Sequence, residues 1–187
     1  VSSQHLLRLI NDVLDMSKIE SGKTTLNLCD VNLADIVKET DNIIRPQAKK
    51  KNQTFVVKSD DIEYCCITAD KLRLSQILIN ILSNAVKYTG EGGNITFEIK
   101  EVKVTNPQIA KYKFIISDNG IGMSEEYLKE VFKPFTREET SLTDAVQGTG
   151  LGMAITKNLI DLMGGTIKVF STQGVGTTYE VTMEFRI

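Results

Sequence analysis

The sequence has few of the residues that disulfides, metal centres and membrane spans require. It contains three cysteines (Cys29, Cys65 and Cys66) and a single histidine, and no CxxC string occurs. These are too few for a disulfide framework and cannot complete a zinc site. No apolar run approaches the roughly 18 residues of a transmembrane helix, and the formal net charge of −2 gives no reason to expect nucleic acid. We therefore expect a cytoplasmic chain that neither spans a membrane nor binds nucleic acid.

The first part of the chain predicts one long helix. Two neighbouring apolar rows run through residues 3–20, and Ser21-Gly22 is typical of a helix end. Two rows favour a bundle helix over a two-stranded coiled coil. The chain has no second helix of this kind and begins within the helix without a methionine. We therefore expect a fragment of a longer protein, in which residues 1–22 are a bundle helix and residues 23–187 a separate domain.

From residue 23 onward, strands alternate with amphipathic helices. Strands are predicted at residues 25–31, 53–58, 64–68, 95–104, 112–118, 166–171 and 177–185, and helices at residues 33–50, 71–88, 124–131 and 150–163. Asn32 and Asp70 are predicted to cap the two long helices. This order predicts an α+β fold, a two-layer α/β sandwich whose mixed, mostly antiparallel sheet carries helices on one face. Residues 136–149 are polar and aperiodic, which predicts a long loop that is either a lid or disordered.

The turn Asp118-Asn-Gly-Ile-Gly-Met123 follows an apolar strand and is the first candidate binding site. A carboxylate at a strand end can accept a hydrogen bond from a ligand, and Gly120 and Gly122 would let a flat ligand approach the backbone. The same string is also typical of an ordinary turn. The binding interpretation gains support from two further unusual strings, at residues 80–88 and 148–153.

The helix at residues 71–88 carries a polar stripe on an otherwise apolar sequence. Its members Arg73, Gln76, Asn80, Asn84 and Lys87 follow spacings of 3, 4, 4 and 3 residues. A plain solvent-facing stripe is the alternative. However, two asparagines within a helix lower its propensity without improving packing, which favours a functional role. An asparagine oxygen can bind Mg²⁺, and a lysine can bind phosphate as a point charge.

Three alternating glycines, Gly148, Gly150 and Gly152, lie between the polar loop and a predicted helix. Such glycines expose backbone N–H groups, and a helix N-terminus adds partial positive charge, so the string favours anions. The lysine of a P-loop, the preceding strand of a dinucleotide fold and the signature strings of protein kinases are all absent from the sequence. The three strings together predict a site for a phosphate-bearing ligand.

In their order along the chain, these strings resemble the boxes of bacterial sensor histidine kinases of the GHKL superfamily. Residues 80–89 resemble the asparagine box, 118–123 the first glycine box, 131–135 the phenylalanine box, 148–153 the second glycine box, and 164–166 with 174–177 the closing segment. The resemblance covers residues 70–187, and residues 6–22 are similar to the second helix of the family's dimerisation and phosphotransfer domain. It implies the family's ATP-binding catalytic domain, with ATP and Mg²⁺ as ligands.

The resemblance also implies roles for individual residues. Asn84 would hold the Mg²⁺ that bridges the ATP phosphates, Asn80 would lie beside it, and Lys87 would contact a phosphate; these three would be catalytic. Asp118 would accept a hydrogen bond from the adenine amino group. The remaining implied nucleotide contacts are Tyr88, Gly120, Gly122, Met123, Gly148, Thr149, Gly150, Leu151, Gly152 and Thr177. Residues 136–149 would form the lid, with Phe132 and Phe135, also expected in the core, at its base.

The chain departs from this family at the phosphate acceptor. The family's acceptor is a histidine followed by an acidic residue and soon by arginine and proline, on the preceding helix. The histidine of this chain, His5, is instead followed by Leu-Leu-Arg. We therefore expect His5 to be an ordinary helix residue and the acceptor to lie upstream of Val1.

The predicted function is therefore that of a histidine kinase catalytic region in a two-component system. The γ-phosphoryl group of ATP would pass to the upstream histidine and then to an aspartate of a response-regulator receiver domain, separate or fused. The full-length protein would be a homodimer through its helical bundle and a membrane-anchored bacterial sensor. Two alternatives remain: an ATPase of the gyrase or heat-shock type, which normally carries glutamate at the position of Asn80, and a nucleotide-binding scaffold without kinase activity.

Overall fold

The computed structural model describes residues 24–59, 62, 65–138 and 149–187, together with Ile10, Val13, Leu14, Met16 and Ser17. Those five N-terminal residues are helical, as predicted for residues 3–20. The other residues of the predicted helix, including His5, lie outside the described residues, as do its predicted end at residues 21–22 and most of the predicted lid.

The described domain contains seven strands and four helices. They are β1 (Cys29–Asn32), α1 (Leu33–Lys50), β2 (Thr54–Lys58), β3 (Cys66–Ala69), α2 (Lys71–Tyr88), β4 (Asn94–Val102), β5 (Ile109–Asp118), α3 (Glu125–Leu128), α4 (Gly152–Leu162), β6 (Thr166–Thr172) and β7 (Gly176–Arg186). Each corresponds to a predicted element. The largest differences are at β1, which begins four residues later than predicted, and at α3, which is a single short turn.

The strands form one sheet in the order β1-β3-β7-β5-β4-β2, and β6 also pairs with β7. The pairing of β2 with β4 is parallel, and the other pairs are antiparallel. The sheet is therefore mixed and mostly antiparallel, as the sequence predicts. β5 lies between β4 and β7, so its C-terminal end, with Asp118, is at the centre of one sheet edge.

The hydrophobic core lies between one face of the sheet and the helices. Alternate residues of β5 (Ala110, Tyr112, Phe114 and Ile116) are at most 1% exposed, as expected for a strand with one buried face. The buried residues of α2 recur every three or four positions, and this helix contacts both α1 and α4. The result is the predicted two-layer α+β arrangement, with α2 as its central helix. Within the described residues, the helices are too short or too polar to cross a bilayer.

Both long helices begin at the predicted caps. The Oδ1 atom of Asn32 accepts a hydrogen bond from the backbone N–H of Ala34 (2.8 Å). Asp70, which is 5% exposed, accepts one from the N–H of Arg73 (3.1 Å) and a second from the N–H of Asn27 (2.9 Å). Asp70 therefore both starts α2 and holds the segment that precedes β1.

Substitution of Asp70 tests this double contact. Asp70→Ala should lower the free energy of unfolding by about 1–2 kcal/mol, because α2 loses its cap and the Asn27 N–H loses its acceptor. Urea unfolding of the two proteins measures the difference. Asp35→Ala, which removes an exposed carboxylate from the first turn of α1, is the matched control and should change stability by less than about 0.5 kcal/mol. Equal effects of the two substitutions would contradict the role given to Asp70.

Candidate active site

The C-terminal end of α2 lies directly against the turn that follows β5. The backbone N–H of Ile121 donates a hydrogen bond to the carbonyl oxygen of Tyr88 (3.2 Å). A Cβ atom on Gly120 would lie 2.4 Å from that same oxygen, so a side chain there would force the two segments apart. The asparagine-bearing helix and the first glycine string therefore meet at one place.

Asp118 lies at the end of β5, opposite Ile95 of β4 and Thr177 of β7. Its Oδ1 atom accepts a hydrogen bond from the Gly120 N–H (2.9 Å). Burial raises the pKa of Asp118 to about 6, although backbone hydrogen bonds from Gly120 and Thr177 act in the opposite direction. A carboxylate with so little water around it is a strong acceptor for a ligand N–H group.

The start of β7 packs directly against the backbone of Asp118. Gly176 has φ of +136°, and a Cβ atom there would lie 2.0 Å from the Asp118 carbonyl oxygen, so this position favours glycine. The Ser171 hydroxyl donates to the Gly176 carbonyl (2.9 Å) and accepts from the Met123 N–H (2.9 Å). Because its proton is committed to Gly176, the Thr177 hydroxyl, 2.9 Å away, must donate to Ser171. Ser171 thus fixes both Met123 and Thr177.

The turn itself is also bound to the β6–β7 hairpin. Gly122 has φ of +64°, and a Cβ atom there would lie 2.0 Å from the carbonyl oxygen of Thr172. The N–H of Gly174 donates to the carbonyl of Ile121 (2.7 Å). These chain contacts alone explain the need for glycine at residues 120 and 122.

Asn80 joins α2 to the start of α4. Its Nδ2 atom lies 2.6 Å from the Gly152 carbonyl oxygen and 2.6 Å from the Thr156 hydroxyl, and it donates to both. A Cβ atom on Gly152 would lie 2.8 Å from the Asn80 Oδ1 atom. The second glycine string is therefore held against the same helix, and the amide nitrogen of Asn80 is fully used in doing so.

One turn further along α2, Asn84 is half-buried and makes no side-chain hydrogen bond within the described part of the chain. Its side-chain oxygen is therefore available as a ligand. The Lys87 Nζ atom lies 4.8 Å from the centre of the Tyr88 ring, close enough for a cation–π interaction. Burial raises the pKa of the Tyr88 phenol, which keeps it protonated.

The second glycine string is described from Thr149, and Gly148 lies outside the described residues. Gly150 has φ of +71°, and its carbonyl accepts a hydrogen bond from the Phe135 N–H (3.0 Å). The Leu151 side chain is buried in the core, and the Leu151 N–H donates to the Thr149 hydroxyl (3.2 Å). Both ends of the predicted lid therefore meet at its base.

The expectation that both aromatics of the phenylalanine box belong to the core was wrong for Phe135. Phe132 is half-buried and packs against the core. Phe135 is 71% exposed, because the chain reverses at this residue, where φ is +61°, and the side chain projects into solvent. Its backbone, rather than its ring, makes the contact with Gly150.

Of the predicted residues other than Gly148, Thr177 lies at the start of β7 beside Asp118, and the others lie on α2 and on the two segments that contact it. A half-buried amide oxygen (Asn84), a lysine (Lys87) and a desolvated carboxylate (Asp118) fit a ligand that has phosphates with a divalent cation at one end and an N–H donor at the other. Sequence reasoning missed Ser171 and Thr156. The pairing of Ser171 with Thr177 in the predicted hairpin would have indicated Ser171. The position of Thr156 near the start of α4 would have indicated Thr156.

Known proteins are similar to this chain in sequence and in fold. The profile of the histidine kinase-, DNA gyrase B- and HSP90-like ATPase family matches residues 69–187. The chain is 38% identical over 183 residues to the autoinducer 2 sensor kinase/phosphatase LuxQ of Vibrio parahaemolyticus, covering 97% of this chain and 21% of LuxQ. It is 37% identical over 183 residues to the sensor protein GacS of Pseudomonas syringae pv. syringae, and this match covers 98% of this chain and 20% of GacS. The chain spans about a fifth of the length of these relatives.

Among solved structures, full-length ShkA in complex with AMPPNP matches with a TM-score of 0.82 and 28% identity. The match covers 99% of this chain and 37% of ShkA. The likeness therefore extends over the strands and helices that precede residue 69 as well as over the region matched by the family profile.

Asp118 should reduce the stability of the fold at neutral pH. Between its ordinary pKa of 3.8 and its folded value of about 6, the folded protein holds more protons than the unfolded one, so stability falls as pH rises through this window. Asp118→Asn should therefore be more stable than the unsubstituted protein by about 1–3 kcal/mol at neutral pH, with a difference that shrinks toward about pH 4.

Thermal unfolding as a function of pH measures this difference. Asp35→Asn, at an exposed position, is the matched control and should show no such growth with pH. A stability gain for Asp118→Asn that stays constant across the whole pH range would rule out the buried charge as its cause.

Proposed function

The chain belongs to the histidine kinase-, DNA gyrase B- and HSP90-like ATPase family, and we propose that it is the ATP-binding catalytic region of a sensor histidine kinase. In the full-length protein the γ-phosphoryl group of ATP would pass to a histidine of the phosphotransfer helices and then to an aspartate of a response regulator. Two observations on relatives support this assignment: LuxQ and GacS bear the names of sensor proteins, and ShkA holds AMPPNP.

The observation that carries the proposal is the attachment of two glycine-bearing segments to α2, one at its C-terminal end and one at Asn80. The Tyr88 carbonyl binds the segment after Asp118, and Asn80 binds Gly152. Between these two attachments lies Asn84, with its oxygen unpaired within the described residues. A nucleotide long enough to reach from Asp118 to Asn84 would contact all three strings.

Asp118 would recognise the nucleotide base through a hydrogen bond. Its half-buried carboxylate accepts hydrogen bonds, so it would favour adenine, whose amino group donates, over guanine, whose oxygen at the same ring position would repel it. Gly120 and Gly122 would let the base approach the backbone. Thr177 pairs with Asp118 across the sheet, and Ser171 fixes both Thr177 and Met123. Tyr88 would pack against the adenine or the ribose.

The phosphates would lie toward Asn84 and Lys87. Asn84 would hold Mg²⁺ with its side-chain oxygen, and the bound ion would neutralise phosphate charge. Lys87 would contact a phosphate as a point charge, and the N–H groups of residues 148–152 would bind the others at the start of α4. Asn80 would act mainly by keeping that start of α4 in place. Phosphoryl transfer needs little more than such positioning and charge neutralisation.

The rest of the proposal concerns the whole protein. Residues 1–22 would be the second helix of a dimerisation and phosphotransfer domain, followed by the catalytic domain at residues 23–187. The full-length protein would be a homodimer, would act on a response-regulator receiver domain, and would place this region in the cytoplasm. The apolar side chains of Ile10, Val13 and Leu14, each about half exposed in the single chain, suit such a bundle.

Isotope-labelled ATP tests the proposed reaction. The chain is mixed with a second protein that carries the family's two phosphotransfer helices, including the acceptor histidine. We expect label on the second protein that is lost in acid and stable in base, the behaviour of a phosphohistidine. Free phosphate without labelled protein would instead establish an ATPase, and bound but unchanged ATP a scaffold; either result would contradict the kinase proposal.

Asn84 should be required for the Mg²⁺-dependent part of ATP binding. Asn84→Ala removes the ligand oxygen, so the gain in affinity that Mg²⁺ gives the unsubstituted protein should fall by about tenfold or more. Calorimetric titration of ATP with Mg²⁺ and with a chelator measures that gain. Asn106→Ala, in the exposed β4–β5 loop, is the matched control and should keep it. An unchanged gain in Asn84→Ala would exclude the metal role.

A further inference from the structure

The connection between α1 and β2 caps the C-terminal end of α2. The Lys51 Nζ atom lies 2.9 Å from the carbonyl oxygens of Val86 and Lys87 and 3.4 Å from that of Thr89. The Gln53 Nε2 atom lies 3.1 Å from the Val86 carbonyl oxygen and 2.7 Å from that of Thr89. Two side chains from one short connection therefore bind the last carbonyls of the helix that bears Asn84.

These two side chains are themselves held in place. Gln53 is 8% exposed, and its N–H donates to the Ala48 carbonyl (3.0 Å). The Lys51 carbonyl accepts from the Gly92 N–H (3.2 Å), which ties the connection to the turn before β4. Lys51 is thus fixed by its backbone on both sides, unlike an ordinary surface lysine.

A helix end of this kind needs such partners. The last carbonyls of an α-helix have no partners within the helix, and together they carry a partial negative charge. At the end of α2 this charge lies beside Lys87 and Tyr88, the proposed contacts of an anionic nucleotide. The Lys51 ammonium offsets the charge, and the hydrogen bonds to Lys51 and Gln53 oppose fraying of the final turn.

We propose that Lys51 and Gln53 are positioning residues of the nucleotide site. They fix the last turn of α2, and through it the directions in which Lys87 and Tyr88 project. This inference rests on the proposed nucleotide function. It also places part of the site outside residues 69–187, the region that the family profile matches. The N-terminal portion of the domain then contributes to nucleotide affinity as well as to the sheet.

Removal of the ammonium is the direct test. Lys51→Met in the 187-residue chain should raise the Kd for Mg-ATP about tenfold, and Lys51→Arg should recover most of the affinity. Titration is done below the temperature at which either variant begins to unfold. Lys50→Met is the matched control, because Lys50 makes no side-chain hydrogen bond or ion pair with the described residues, and it should leave Kd within about twofold.

Hydrogen exchange supplies a second readout that needs no nucleotide. In Lys51→Met the backbone amides of residues 86–90 should exchange faster, while those in the middle of α2 should not change. Should Lys51→Met fail to fold, Lys51→Gln, which keeps a neutral donor, takes its place with about a threefold rise in Kd expected.

The outcomes separate this inference from the proposed function. If the unsubstituted chain binds no ATP, the proposed function is wrong, and the exchange experiment still tests the cap. If the unsubstituted chain binds ATP and Lys51→Met lowers the melting temperature without changing Kd, Lys51 has only a structural role and the positioning proposal is overturned. Unchanged exchange at residues 86–90 would also overturn it.

Discussion

The backbone contact between the end of α2 and the turn after β5 is the constraint on which the site depends. The Tyr88 carbonyl accepts from the Ile121 N–H, and Gly120 has to remain without a side chain for the two segments to come this close. This contact sets the position of Asp118 relative to α2, because Asp118 is two residues before Gly120 and is fixed by β4 and β7. The opposite side of the same helix end is held by Lys51 and Gln53. The end of α2 is therefore bound from two directions.

Several polar groups of the site lower the stability of the fold. A domain with only a structural role would have apolar or fully hydrogen-bonded groups at these positions. Asp118 is a half-buried carboxylate whose pKa is raised to about 6, so its charged form opposes folding. Asn84 places in α2 a half-buried amide that makes no side-chain hydrogen bond with the described residues. At the cap of α2, the Gln53 Oε1 and Thr89 Oγ1 atoms are buried without hydrogen-bond partners among the residues that the structure describes, as is the Thr40 Oγ1 atom in α1. Such groups persist because the continuous core between sheet and helices offsets them.

The sequence predicts the elements of this fold well and their long-range contacts poorly. Hydrophobic periodicity and the caps at Asn32 and Asp70 define both long helices, because these signals are local. The parallel pairing of β2 with β4 has no local signal, since it joins strands that are separated along the chain by β3 and α2. For the same reason the motifs indicated Asn80, Asn84 and Asp118, whereas Lys51 remained unnoticed. A lysine in a basic stretch looks like a surface residue until the carbonyls it binds are known.

The contacts of Asn80 bear on which reaction the site favours. The family's ATPases normally carry a glutamate at this position, where a carboxylate can take a proton from the attacking water. An amide cannot act as a general base, and the Asn80 nitrogen is in addition committed to Gly152 and Thr156. Hydrolysis therefore receives no help from this position. A neutral histidine acceptor needs none, because its ring nitrogen attacks with a lone pair that carries no proton. In the proposed reaction, the same residue that fixes the start of α4 would thus favour transfer to imidazole over transfer to water.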